Sequence, residues 1–575
     1  MRRTLALTAL IALAFAAAPA AAAKRARTPR LKAFRSCAGL ISYARRHAPT
    51  APRLRPVPGG GEDGPAAPVP APVSAPGGGS STTNNQEGGV DEPDIVKSEG
   101  GIVFARTGST LHAIDARPLV PRVLDVLHLP GYDGELLIAG QRALAISPDA
   151  PGGTVLSEID IGDPRHLRVL RTLSVDGRYV SARMHGHTVR VVVSSYPRAL
   201  RVPIAEPPHP IAARVAARKP LRARRAGWVP SATLRDRRTG RTRKRALVAC
   251  HDVRRTPRFT GEGILTVLTV DLAKGLPAVD SDAVMTSADT VYASPTSLYV
   301  AVTGGWERDD TSIHRFDLAG ADRTDYRASG QVPGDLLDQF SMSEYKGVLR
   351  VATTAASGAK SQSFVTALEP HSGRMARIGQ VGGLGKGERI FAVRFIEDRG
   401  YVVTFRQVDP LFTLDLADPT RPRVRGELKI AGFSAYLHPV GPHQLLGVGQ
   451  DAFSRDGGSS TELSLFDVAD PAAPRLLSRV TVGRFTTSSV EYDHHAFLWW
   501  DPLRLAVIPV SGEDGTTEAA AFNVDHGKIT AAGSSHENGF VLRTLIVAGR
   551  LLTLSDHALS VYDPATLRPG PVARF

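Results

Sequence analysis

Cysteine, tryptophan and methionine are scarce in this chain of 575 residues, at two, four and five copies. With only Cys37 and Cys250 there is no CxxC pair, which excludes a dithiol redox site, and at most one disulfide can form. The sequence also has no GxSxG, no HExxH and no GxxxxGK[ST]. Nucleophile-elbow hydrolases, HExxH zinc proteases and P-loop NTPases therefore lack their usual marks. Past the N-terminus no apolar run is long enough to cross a bilayer. Apolar content of 42% and charged content of 22% are those of an ordinary globular protein.

What is present begins with a targeting segment. Arg2 and Arg3 precede an apolar run at 5–18 and the small residues Ala21, Ala22 and Ala23. This pattern predicts a secretory signal peptide over 1–23, with a retained anchor as the alternative. In an oxidising compartment Cys37 and Cys250 are expected to pair, two buried thiols being the alternative. Leu31, Phe34, Ala38 and Ile41 recur three or four apart, predicting an amphipathic helix within 24–47 that docks on the main body. Residues 48–83, dominated by Pro and Gly, read as a disordered linker.

From residue 84 onward one unit repeats. It is a strand, a Gly or Asp turn, a second strand, a third ending in apolar–polar–apolar, a turn and a fourth strand. The polar member of that third-strand mark falls at Asp115, Asp160, Asp271, Asp317, Glu369, Asp415, Asp467, Asn523 and Asp563. The unit is clearest at 390–395, 401–406, 411–416 and 423–430, four β-type runs divided by Gly, Asp or Pro. Most units are 40 to 56 residues apart, and one gap near 110 must hold an insertion. A four-stranded repeat of this length predicts an all-β propeller over 84–575, with nine blades by count and eight as the alternative.

The insertion is 198–258. It carries 18 Lys and Arg against Glu206, Asp236 and Asp252, a net +15, whereas the whole chain is +14. The basic character is thus local. An exposed, partly disordered loop is expected, with Arg222, Arg224, Arg225, Arg241, Arg243, Lys244 and Arg245 as anion-binding candidates.

Several segments resemble one family. They are TNNQEGGVDEPDIVKSEGG, YASPTSLYVAVT, GQVPGDLLDQFSMSEYKGVLRVATT, GERIFAVRFIEDRGYVVTFRQVDPLFTLDLADP, FSAYLHPV and EYDHHAFLW. The chain is similar over roughly 80–575 to secreted bacterial proteins with a C-terminal β-propeller domain, distantly like WD-40 propellers. The resemblance implies fold and export, and brings no activity or catalytic residues with it.

Two clusters offer metal chemistry. GVDEPDIVKSE supplies Asp91, Glu92 and Asp94, carboxylates suited to calcium, but without the spacing of a calcium loop; otherwise they cap turns and blade edges. SSVEYDHHAFLWW supplies Asp493, His494 and His495, suited to a transition metal. On a regular strand the two histidines would face opposite ways, leaving Asp493 and His495 on one face. The glycine run at 382–390 joins strand to strand, so it is no phosphate loop. No cofactor is expected. The function expected is an exported, non-enzymatic binding or scaffold protein of the cell envelope or extracellular space. Its partner would be a protein or envelope polymer, and its basic loop suits anionic polymers or lipids rather than nucleic acid. The alternative is an extracytoplasmic enzyme with a site at the channel mouth, metal-assisted.

Overall fold

The computed structural model describes residues 31–47 and 79–575, apart from 150–151, 198–226, 257–258, 262, 278, 305–308, 319, 321, 407–408, 452–457, 514 and 536–538. The signal segment, most of the linker and Arg222, Arg224 and Arg225 lie outside the described residues.

The strands form eight hydrogen-bonded sheets. The widest, of eight strands, is two four-stranded units joined only at Ser329 and Arg374. The result is nine blades in chain order: 96–128, 135–176, 178–285, 290–333, 342–384, 389–430, 433–482, 486–534 and 543–574. All nine marks fall at the ends of third strands, from Thr110–Asp115 to Ala558–Tyr562. Their chemistry explains why. At Asp115, Asp160, Asp271, Asp415, Asp467 and Asp563 the carboxylate accepts the backbone N–H two residues on, at 3.0–3.2 Å, and folds the chain into the turn.

Apolar residues on both faces of each blade are covered by the neighbouring blades. Phe104 and Leu111 of blade 1 meet Leu136 and Ala145 of blade 2. Leu411 of blade 6 meets Leu437 and Phe466 of blade 7, and Leu463 of blade 7 meets Ala506 and Phe522 of blade 8. The last interface returns to the first, because Leu545, Val547 and Leu552 of blade 9 pack on Val103 and Ile114 of blade 1. Each such buried side chain contributes about 1.5–3 kcal/mol, so the ring is held by its blade–blade faces. Among the described residues no strand is exchanged between the first and last blades. Arg550 instead donates to the carbonyls of Ala116, Pro118 and Leu119 across the seam.

The periphery departs from the sequence reading in three ways. The helix is Cys37–His47 rather than starting near residue 28, because Lys32–Ala33 is drawn into a strand against Arg254 and Arg255. Ser36 caps it, its Oγ accepting from Gly39 N–H at 3.1 Å. Residues 79–83, placed in the linker by their composition, lie along blade 9, where Ser81 N–H donates to Ile546 O at 2.7 Å. The basic insertion is also partly ordered: Ser231–Asp236 and Thr242–Ala246 form a hairpin that extends blade 2 from Arg168–Asp176. Hydrogen bonding to that open edge holds the hairpin despite its charge, and it covers the edge in return. Arg243, Lys244 and Arg245 stay exposed on the outer strand.

Cys37 and Cys250 are bonded. The bond fixes the helix, through Leu40, Tyr43 and Ala44, to Trp228, Val253, Ile264 and Met285 on the rim of blade 3. A cross-link spanning 213 residues stabilises by up to about 5 kcal/mol in the chain-entropy picture. Replacing both cysteines by alanine should lower unfolding free energy by up to that amount in denaturant titrations, and reductant should then have no further effect. A reductant effect persisting in the double variant would contradict this assignment.

Candidate functional site

Residues 84–95 (NNQEGGVDEPDI) do not skirt the ring; they cross its axis. The stretch is polar, and its side chains pair with groups that the innermost strands leave open. Asn84 donates to Tyr436 Oη at 3.0 Å and to the His494 carbonyl at 2.8 Å. Gln86 donates to the Met342 carbonyl at 3.1 Å, and Glu87 accepts from Tyr292 Oη at 2.7 Å. Asp91 and Met184 exchange backbone bonds at 2.8 Å, and Asp94 does the same with Leu136 at 3.2 and 2.7 Å. Partners thus come from blades 2, 3, 4, 5, 7 and 8. Gly89, at φ 78°, permits the bend between the two arms.

Glu92 sits at the centre, 2% exposed. Its carboxylate accepts from Gln86 N–H at 3.1 Å and from Gln339 Nε2 at 3.1 and 3.2 Å. Arg183 Nε stands 3.7 Å from one oxygen. At the other oxygen, His494 Nε2 stands at 3.1 Å and His495 Nε2 at 3.5 Å. Burial alone would raise the Glu92 carboxyl, but Arg183 and the imidazoles outweigh it and hold the group well below the usual carboxylate range.

The two histidines converge because the innermost strand of blade 8 is broken. Thr486–Ser488 and Leu498–Trp500 both pair with Leu505–Gly512, and 489–497 swells out between them. Within the swelling, Ser488 and Glu491 form a capping box, and the Asp493 carboxylate caps the turn His494–Ala496. Val490 and Phe497 anchor the swelling in the core. On a helical turn the imidazoles lie side by side, ring centres 3.9 Å apart, which corrects the expectation that they point to opposite faces.

The other candidate carboxylates are taken by cations. Asp91 pairs with Lys97 at 2.7 Å, away from the histidines. Asp94 and Asp493 both take Arg543, at 2.8 and 2.6 Å. Burial acts to raise the Asp493 carboxyl, and Arg543 with the imidazoles brings it down to about 2. Arg241, Arg243, Lys244 and Arg245 belong to the rim hairpin, remote in the fold from the axis. Sequence reasoning missed Arg183, Gln339 and Arg543. Each is a single polar residue in or beside an innermost strand, with no local pattern to mark it.

Beside the crossing segment lies a cavity of about 740 Å³, at the mouth where the innermost strands of blades 5 to 8 end. Phe340, Phe395 and Trp499 give it aromatic walls, Arg350 and Arg394 reach it from blades 5 and 6, and Glu87, Glu344, Glu397 and Asp501 also line it. Arg350 donates to Ser343 O at 3.3 Å, to Ser343 Oγ at 2.7 Å and to Glu397 O, all uncharged oxygens. Its guanidinium lies 5.2 Å over Tyr345 and 5.1 Å over Phe395. Burial lowers both arginines to about 10, so they remain cations at neutral pH. Phe340 packs edge-on against His494 at 5.7 Å and stands between this cavity and the Glu92 cluster. Across the segment a second cavity of about 340 Å³ is lined by Val90, Lys97, Ile138 and Met184.

No described helix is long and apolar enough to cross a membrane. Among relatives, the chain is 35% identical to an uncharacterized protein of Methanocaldococcus jannaschii, over 41% of this chain and 36% of that protein. It is also 35% identical to an uncharacterized protein of Archaeoglobus fulgidus, over 45% and 38%. The match therefore spans well under half the length of either relative. Solved structures with a similar fold include the periplasmic gluconolactonase PpgL of Pseudomonas aeruginosa, at 15% identity, TM-score 0.32 and coverage of 55% of this chain and 92% of that one. Another is Sqt1 of Saccharomyces cerevisiae, at 10% identity, TM-score 0.35 and coverage of 54% and 79%. The family model described as "Beta propeller domain" matches residues 80–567, nearly the whole of the nine-bladed ring, and the chain belongs to that family.

Proposed function

We propose that the protein is an exported, non-enzymatic binding protein whose ligand is a small organic anion with an apolar or unsaturated body, seated in the 740 Å³ cavity. The observation that carries this reading is the pair of buried cations, Arg350 and Arg394, set among Phe340, Phe395 and Trp499; Glu87 faces both, but burial raises its carboxyl and weakens it as their counter-charge. A carboxylate or phosphate meets the guanidiniums, and the body of the ligand lies on the rings. Export is supported by the N-terminal basic and apolar run and by the disulfide. Binding rather than catalysis is favoured because Phe340 divides the histidine cluster from the cavity. On this reading the exposed Arg243, Lys244 and Arg245 contact anionic polymers or lipids of the envelope.

The test is a thermal-shift screen of the purified chain against aromatic carboxylates, dicarboxylates and sugar phosphates, with neutral sugars and organic amines as controls. One anionic class should raise Tm. Calorimetry should then show Arg394→Met weakening that ligand by about 10- to 100-fold, since a hydrogen bond to a charged group is worth about 1.5–3 kcal/mol. Trp499→Ala, at the cavity wall, should weaken it by about tenfold. Stabilisation by neutral or cationic compounds only, or unchanged affinity in both variants, overturns the proposal.

A further inference from the structure

We propose that Glu92, His494 and His495 bind a first-row divalent transition ion of the zinc class, which fastens the axis-crossing segment to blade 8. The donor set is two imidazole nitrogens and one carboxylate oxygen, the mixture that suits zinc and its neighbours and not the all-oxygen preference of calcium. All three donor atoms lie within 4.8 Å of one another. The edges measured from Glu92 Oε2 are 3.1 Å to His494 Nε2 and 3.5 Å to His495 Nε2. An ion with bonds of about 2.0–2.1 Å spaces its ligands about 3.0 Å apart in octahedral and about 3.4 Å apart in tetrahedral geometry. The observed edges fall around these values.

A second observation is independent of spacing. His495 Nε2 is buried, its ring only 10% exposed, and it makes no well-formed hydrogen bond among the described residues, its one facing acceptor being Glu92 Oε2 at 3.5 Å. A buried polar atom left without a partner costs about 1–3 kcal/mol and calls for a reason. A metal ion accepts both nitrogen lone pairs together with the carboxylate.

The surroundings agree. Arg183 and Gln86 N–H address Glu92 Oε1, while Oε2 faces both imidazoles and also accepts from Gln339 Nε2 at 3.1 Å. Asp493, held by Arg543, places Oδ1 3.6 Å from His495 Nδ1, close to the imidazole though beyond hydrogen-bond reach. A small cavity of about 40 Å³ touches His495, Asp94 and Arg543 and has room for a water as a further ligand. The set also revises the sequence candidates. Asp91 and Asp94 are taken by Lys97 and Arg543, and His494 joins Glu92 and His495. The ion would bridge two segments about 400 residues apart, with a fastening rather than a catalytic role.

The experiment uses the untagged mature chain, stripped by dialysis against a chelator and titrated with Zn²⁺ against a chromogenic competitor. We expect one ion per chain bound at submicromolar free zinc, and a rise in Tm with Zn²⁺ but not with Ca²⁺. His495→Ala and His494→Ala should each weaken binding at least tenfold, while the exposed His166→Ala should not. Absence of tight zinc binding, or equal binding by the His494 and His495 variants, overturns the proposal. If both variants fail to fold, pulsed EPR of the Cu²⁺-loaded wild-type chain counts coordinated imidazoles; two supports the site and fewer overturns it.

Discussion

Arg543→Ala should lower the unfolding free energy by about 3–5 kcal/mol, the cost of removing one partner from a buried charged set. Arg543 is 8% exposed and donates to Asp94 at 2.8 Å and to Asp493 at 2.6 Å. Without it, two carboxylates remain in a site with little water. Asp94 is on the crossing segment, Asp493 on the swelling of blade 8 and Arg543 on the first strand of blade 9, so one substitution loosens three parts of the fold. Urea titration at pH 7 measures the effect. Arg117→Ala, whose own guanidinium is exposed beside Asp115, is the control and should lose far less. A loss at Arg543 no larger than this control would remove the argument that the axis is held by charge.

Acid should weaken the fold through buried histidine outside that cluster. His314 is 1% exposed on the third strand of blade 4, bonded through Nδ1 to Ser329 Oγ at 2.6 Å. Burial lowers its pKa to about 4, whereas an imidazole in an unfolded chain titrates near 6.5. Above the higher value neither state holds the proton, and the stability is fully present. As pH falls from about 6.5 toward 4 the unfolded chain takes up a proton that the folded chain refuses, and stability is lost. Linkage gives a loss of about 3 kcal/mol by pH 4. His112, also lowered by burial to about 4, adds to the same slope. His314→Gln keeps a hydrogen-bonding group and removes the titration. The stability gap between wild type and variant should therefore shift by about 3 kcal/mol between pH 7 and pH 4. Parallel pH curves would sink the prediction.

The ring was legible because its signals are local. An aspartate that closes a turn two residues on and the alternation of short β-type runs are each contained in a few residues. They located all nine third strands, and the four runs at 390–430 match the observed strands to within about two residues. The axis was not legible as a site. Glu92 and His494 were both visible as members of polar clusters, but 402 residues separate them, and only closure of the ring brings them to 3.1 Å. Strand periodicity misled at His494 and His495, where capping by Ser488 and Asp493 overrides the extended conformation. Composition misled at Ser80 and Ser81, which look like linker but bond to blade 9. Charge misled at 231–246, where an open sheet edge supplied partners that a count of arginines does not reveal.

The thread through the middle also dictates an order of events. Residues 79–95 are made before any blade, yet Ile546 and Arg543, which receive Ser81 and Asp94, are made only after eight blades, at separations of 465 and 449 residues. Contacts so distant along the chain form slowly. A partial product can stack its early blades, but nothing yet exists to bolt its leading segment in place. The leading segment is therefore locked only once blade 9 has been made.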